Sequence, residues 1–190
     1  MSKPKGSITA RDEQLIEKTV TRDVAYDGKV FQVVVKDVEL YDGSHSRRDV
    51  VLHNGGAAIV ALDHDGQVYL VRQFRSPYEE VIYEIPAGKL EKNEDPRLAA
   101  IRELKEETGM EAGSVVSLGK MYATPGYCSE IIYLFLATDL RVGEGNPDDG
   151  EFLQVVKMPL KQAIDLIEID EIFDAKTMVG LLKAARKVGV

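Results

Sequence analysis

The chain has a single cysteine, Cys128, and no tryptophan. One thiol removes intrachain disulfides and cysteine-rich zinc sites, so packing and hydrogen bonds must hold the fold together. Long apolar runs are missing too. Ile131 to Ala137 is the longest, far short of the ~20 residues that span a bilayer. Basic residues are scarcer than acidic ones, 24 against 32, leaving a net charge of −8. That balance argues against a general attraction to nucleic acid or to an anionic membrane, and leaves room only for a local basic pocket. Met1 to Gly6 carries lysines with no apolar stretch behind them, which predicts no secretory signal and a cytoplasmic protein.

What remains is ordinary globular material: 190 residues, 44% apolar and 29% charged. This suffices for one layered core and is short for two independent domains. From Glu17 to Leu52, short β-rich runs centred on Val33-Val34-Val35 and Val50-Val51-Leu52 are broken by the turn dipeptides Asp27-Gly28 and Asp42-Gly43. Ala57 to Leu62 and Gln67 to Phe74 flank Asp63-His64-Asp65-Gly66, a hairpin pattern, and Val81 to Ile85 forms a strand stopped by Pro86. A helix follows, with Asp95 as N-cap, Pro96 at its first position and Gly109 just past its end. Strands are predicted at Val115 to Tyr122, Ile131 to Thr138 and Phe152 to Met158, and helices at Leu160 to Glu168 and Asp174 to Val188. Arg141 to Gly150, rich in glycine and acid, reads as a loop. Strands and helices do not alternate regularly, which disfavours a doubly wound parallel sheet and predicts a mixed sheet between helices, an α+β arrangement.

The chemistry is concentrated between Gly88 and Met110. On a helix, Glu103, Glu106 and Glu107 fall within about 100° of one another. Leu98, Ile101 and Leu104 are expected on the opposite side, with Lys105 snorkelling beside them. Three such carboxylates repel one another by a few tenths of a kcal/mol per pair, roughly. Either Arg102 and Lys105 neutralise them on a solvated face, or a divalent cation does. Carboxylate oxygens are hard donors suited to Mg²⁺ or Mn²⁺, ions that also hold substrate phosphates.

The spacing of the whole segment resembles the box of the Nudix hydrolases, G-x5-E-x7-R-E-U-x-E-E-x-G-U with U apolar. Gly88, Glu94, Arg102, Glu103, Glu106, Glu107 and Gly109 fill every fixed position, and Leu104 and Met110 the apolar ones. Pro125 lies 15 residues after Met110, within Ala123-Thr-Pro-Gly-Tyr-Cys-Ser-Glu130, and is similar to the loop that marks the ADP-ribose pyrophosphatase branch. Val71-Arg-Gln-Phe-Arg75, Glu84-Ile-Pro-Ala-Gly88 and Asp174-Ala-Lys-Thr177 resemble that branch as well.

The resemblance implies an α/β/α sandwich around a mixed sheet (residues 53–190, box 88–110), preceded by a tail and β-rich segment (residues 1–52) used for dimerisation and substrate contact. It implies Mg²⁺-dependent cleavage (Mn²⁺ serving as well) of a nucleoside diphosphate sugar by a homodimer, with no nucleic acid or membrane partner. Glu103, Glu106 and Glu107 look like metal ligands, joined by the Ala87 carbonyl and by Glu151. Asp149 or Glu151 resembles the general base, with Glu106 a further catalytic carboxylate. Glu94 and Arg102 would brace the loop while Gly88 permits its turn. Arg75 resembles a phosphate-binding arginine. Arg48 and Asp49 align with residues that reach the nucleobase from a partner subunit, and Thr124, Pro125, Gly126 and Glu130 would line the far ribose. The alternatives are another nucleoside diphosphate substrate such as GDP-mannose, or a non-catalytic ligand sensor, against which the intact carboxylates argue.

Overall fold

The computed structural model describes residues 12–143 and 152–190. Their backbone contacts gather into two compact units. One comprises the described residues up to His53 with Thr124–Ser129; the other comprises Asn54–Ala123 with the described residues from Glu130 onward.

The first unit is an antiparallel meander of β1 (Lys18–Asp27), β2 (Gln32–Glu39) and β3 (His45–Leu52), paired in that order. Both expected turns form. The Gly28 N–H donates to the Phe31 carbonyl, and Gly43, at φ +80°, donates to that of Leu40. The left-handed φ at Gly43 suits a residue without Cβ. Val34 and Val38 of β2 are buried, whereas every residue of β1 is exposed. Thr124–Ser129 joins this unit along the end of β3. The Val51 N–H donates to the Tyr127 carbonyl, the Ser129 N–H donates to the Val51 carbonyl, and the His53 N–H donates to Ser129 Oγ.

The second unit is built around β4 (Gly56–Leu62), every residue of which is buried. An apolar run without alternation is what a strand covered on both faces needs. Ala57, Ile59 and Ala61 pack with Ala99, Ala100 and Leu104 of α1 (Pro96–Thr108). Ala58, Val60 and Leu62 pack with Leu160, Ala163 and Ile167 of α2 (Leu160–Glu168) and with Leu181, Ala184 and Ala185 of α3 (Ala175–Val188). The sheet between these helices adds β5 (Gln67–Arg75), β6 (Glu80–Glu84), β7 (Ala87–Lys89), β8 (Met110–Tyr122), β9 (Ile131–Val142) and β10 (Leu153–Pro159). Its order is β10-β5-β4-β9-β8, with β6 on β5 and β7 on β4. Only the β4–β9 pair is parallel, so the sheet is mixed, as expected.

Four details differ from the sequence reading. β7 was not foreseen; it is three residues long and exists because Ala57 and Ala58 pair with Gly88 and Ala87. β8 and β9 are longer than expected and pair Met110 with Val142, so Arg141 and Val142 belong to a strand rather than to the following loop. Leu98 is exposed, and the buried side of α1 is Ala99, Ala100, Glu103, Leu104 and Glu107. Small alanines let the helix lie close on β4, and the sheet-facing side therefore carries two of the carboxylates. Lys105 does not snorkel; it extends to Glu111, 2.7 Å away. Among the described residues no helix is long and apolar enough to cross a membrane.

Candidate functional site

The helix that carries the acidic residues is fixed at both ends by its own sequence. Asp95 caps α1, accepting from the N–H groups of Arg97 at 2.8 Å and Leu98 at 3.2 Å, and Pro96 occupies the first turn. At the other end Gly109 adopts φ +69° and returns its N–H to the Lys105 carbonyl, a left-handed stop that glycine makes without strain.

Between these caps Arg102 is the hub. Its Nε and Nη2 donate to the Glu94 carboxylate at 3.1 and 3.3 Å, and its Nη1 donates to Glu103 at 2.7 Å and to Glu106 at 2.8 Å. Arg102 Nη2 also reaches the Lys89 carbonyl at 3.5 Å. Glu94 Oε2 in turn accepts from the Glu91 N–H at 2.9 Å, so the loop before α1 is tied to the helix through one guanidinium. The Arg102 hydrogen bonds hold the Glu94 carboxyl below its ordinary range, against an opposing effect of burial. Reciprocally, Glu94 first, with Glu103 and Glu106, raises Arg102 further above an already high value. The repulsion between Glu103 and Glu106 is thus offset here by Arg102, a single shared cation.

The turn before the helix meets the same carboxylates. Glu107, buried at 6% exposure, accepts from the Ala87 N–H at 3.1 Å. Glu103, at 8%, lies against Gly88 so closely that a Cβ added there would overlap its carboxylate. Gly88 does not have a positive φ. Glycine is required there by the space Glu103 occupies and not by backbone conformation, which corrects the expectation of a permissive turn. Glu103, Glu106, Glu107 and the backbone of Ala87 therefore gather around one turn and one helix face. They are hard oxygen donors, and their chemistry fits a divalent cation. Among the described residues no three acidic, histidine or cysteine side chains stand arranged to hold a metal ion, and Glu103 and Glu106 are both engaged by Arg102.

Arg75, at the end of β5, donates from Nε to Glu84 Oε2 at 2.8 Å, and its Nη2 stands 2.7 Å from the same oxygen in an ion pair. Glu84 is 3% exposed, and its other oxygen accepts from Lys176 Nζ. The sequence reading gave Glu84 and Lys176 no role, though both stand in segments it singled out. Glu130 belongs to this second unit and is half-buried.

The remaining substrate candidates lie in the first unit. Arg48 is held by Glu17, with Nη2 at 2.5 Å, and also donates to Ser46 Oγ at 2.7 Å. Asp49 accepts from Arg47 Nε at 3.0 Å. Thr124, Pro125 and Gly126 begin the turn that docks on β3, and the Thr124 carbonyl accepts the Cys128 N–H at 2.9 Å. Asp149 and Glu151 lie outside the described residues.

Comparison with known proteins agrees with this geometry. The NUDIX domain family matches residues 52–179. An ADP-ribose pyrophosphatase from Bacillus subtilis (strain 168) is 43% identical over 171 residues, covering 89% of this chain and 92% of the relative. A methanol dehydrogenase activator from Bacillus methanolicus is 40% identical over 167 residues, covering 87% and 90%. A solved structure described as an ADP compounds hydrolase superposes with a TM-score of 0.81 over 91% of this chain and 94% of its own, at 24% identity, which shows a common fold. The segment matched by the family contains Gly88 and the whole of α1. The chain belongs to the Nudix family, and it is a Nudix pyrophosphohydrolase. Nudix hydrolases generally need a divalent metal.

Proposed function

We propose that this enzyme hydrolyses the pyrophosphate bond of ADP-ribose, releasing AMP and ribose 5-phosphate, in the cytoplasm and as a homodimer. The observation that carries the reading is the arrangement at the turn into the box, where buried Glu103 and Glu107 abut Gly88 and the Ala87 N–H. Buried carboxylates are costly unless something positive meets them. A divalent cation, Mg²⁺ or Mn²⁺, would be held by Glu103, Glu106, Glu107, the Ala87 carbonyl and Glu151, and would supply Lewis-acid polarisation of the diphosphate.

The chain's own residues do the rest. Arg75 binds the diphosphate, and the planar guanidinium suits that geometry. Arg102 and Glu94 brace the loop. Of Asp149 and Glu151, the one that does not hold the metal takes the proton from the attacking water, because carboxylates committed to metal are poor bases. Arg48 and Asp49 reach the nucleobase of the neighbouring subunit's substrate, while Thr124, Pro125, Gly126 and Glu130 line the far ribose. The fully exposed β1, an edge strand, is the surface a second copy would cover.

The test is a panel of nucleoside diphosphate compounds with Mg²⁺ and product identification. ADP-ribose should be the best substrate and should yield AMP and ribose 5-phosphate. Preferred turnover of GDP-mannose would move the assignment to that sugar, and binding without turnover would make the chain a sensor.

A further inference from the structure

Glu84 is the most deeply buried carboxylate among the described residues, at 3% exposure, and it faces two cations. One oxygen accepts from Arg75 Nε at 2.8 Å and stands 2.7 Å from its Nη2; the other accepts from Lys176 Nζ. Lys176, with 13% of its side chain exposed, also donates to Asp174 Oδ2 at 3.1 Å. Asp174 caps α3 and accepts from the Thr177 N–H at 3.0 Å and from its hydroxyl at 2.6 Å. Fully buried Thr177 closes the net by accepting the Ile85 N–H at 2.9 Å. The first turn of α3 is thereby fastened to Glu84 at the end of β6 and to the following Ile85, just before Pro86 and Ala87 lead into the box.

Such a network is a poor choice for stability alone, because apolar residues of the same volume serve a core at least as well. What the ions add is direction. A guanidinium has five N–H groups in a rigid fork. Glu84 takes the Nε–H and lies against Nη2, which fixes the plane and leaves the far edge of the guanidinium for an anion. Arg75 has 37% of its side chain exposed, so it reaches solvent, whereas Lys176 and Glu84 do not to any comparable degree. An arginine held by Glu84 alone could pivot about that carboxylate; Lys176, gripping the second oxygen, stops the carboxylate from turning.

We propose that Glu84 and Lys176 are positioning residues that orient Arg75 for the diphosphate of the substrate, Lys176 acting only through Glu84. This rests on the reading of Arg75 as the diphosphate-binding residue. It assigns the C-terminal helix a part in substrate binding, carried across 92 positions of sequence by one ion pair.

The experiment follows the Arg75 Nε–H resonance in ¹⁵N-labelled full-length enzyme, identified as the peak lost in Arg75→Lys. In wild type it should be resolved and should move when ADP is added. In Lys176→Met it should shift and broaden, and KM for ADP-ribose should rise about tenfold with kcat changed far less, the scale of one oriented anion contact. Lys176→Arg should restore both. Glu84→Gln, which keeps the shape and loses the charge, supplies a second variant should Lys176→Met fold poorly, and its effect should be at least as large. An unchanged Nε–H in Lys176→Met, or a loss confined to kcat, would overturn the proposal. If wild type fails to cleave ADP-ribose, the substrate assignment falls, while the ADP titration still decides whether the pair orients Arg75.

Discussion

The carboxylate of Glu103 fills the space that a side chain on Gly88 would need. This one relationship joins the β7 turn to α1 and leaves no room for any residue but glycine between them. We predict that Gly88→Ala displaces Glu103, because a methyl forced into a filled site costs about 1–3 kcal/mol or is relieved by moving its neighbour. Activity should fall at least about a hundredfold, the scale of losing one well-placed electrostatic group, while thermal melting shows the variant still folded. Near wild-type kcat would mean that Glu103 has no need of its present position.

Glu107 offers the cleanest test of the metal assignment. Glu107→Gln keeps an oxygen to accept the Ala87 N–H but loses the negative charge. Its kcat should drop at least about a hundredfold with little change in melting temperature. Chelator should abolish wild-type activity, and added Mg²⁺ or Mn²⁺ should restore it. A fully active Glu107→Gln enzyme would remove this residue from the metal site.

Much of this was readable from sequence because it is local chemistry. Asp95, Pro96 and Gly109 mark the ends of α1 through capping, a fixed φ and a left-handed stop, and each acts within a few residues of itself. The α+β class followed from irregular alternation, and β4 from an unbroken apolar run. The buried face of α1 was misjudged because periodicity weights Leu98 and Leu104 alike, whereas Ala99 and Ala100 permit the closest approach to β4. β7 was invisible because its three residues have no pattern of their own and depend on Ala57 and Ala58. The Glu84–Lys176 pair was hidden by sequence distance, and only the Asp174-Ala-Lys-Thr capping pattern hinted at it.

Arg102 makes stability depend on pH in a calculable direction. Its hydrogen bonds hold the Glu94 carboxyl below the ordinary 4.5, so the folded state favours the ionised form. That stabilisation is present in full above 4.5 and is lost as pH falls through the lower, folded value. Arg102→Met removes it and leaves Glu103 and Glu106 without their shared cation. In chelator, the difference in melting temperature between wild type and Arg102→Met should be widest near neutral pH and should narrow below 4.5. A difference that is constant across that range would show that Arg102 acts by packing alone.

The exposure of β1 bears on assembly. Val20, Val24 and Tyr26 are 47%, 56% and 55% exposed on a strand with an open edge. Sedimentation at micromolar concentration should show a dimer, and Val24→Glu should shift it toward monomer, because a charge facing an apolar contact is left without a partner. A wild-type monomer with full activity would dismiss both the interface and the cross-subunit role of Arg48 and Asp49.

The last prediction concerns the base. Hydrolysis requires a group that takes a proton from water within hydrogen-bond reach or through one intervening water. Within the box, Glu103 and Glu106 are already tied to Arg102 and Glu107 to the Ala87 N–H. Metal would draw off what basicity they retain. The base is therefore expected elsewhere, and Asp148-Asp149-Gly150-Glu151 is the acid-rich segment proposed to supply it. Asp149→Asn and Glu151→Gln should each lower kcat with far smaller changes in KM, the true base giving the larger loss. Raising the pH separates the two roles. Hydroxide replaces a missing base, so the base variant should recover part of its rate in alkaline buffer, whereas a variant that has lost a metal ligand should instead respond to added Mg²⁺. If both variants keep wild-type kcat, the base must be sought at Glu106 or Glu130.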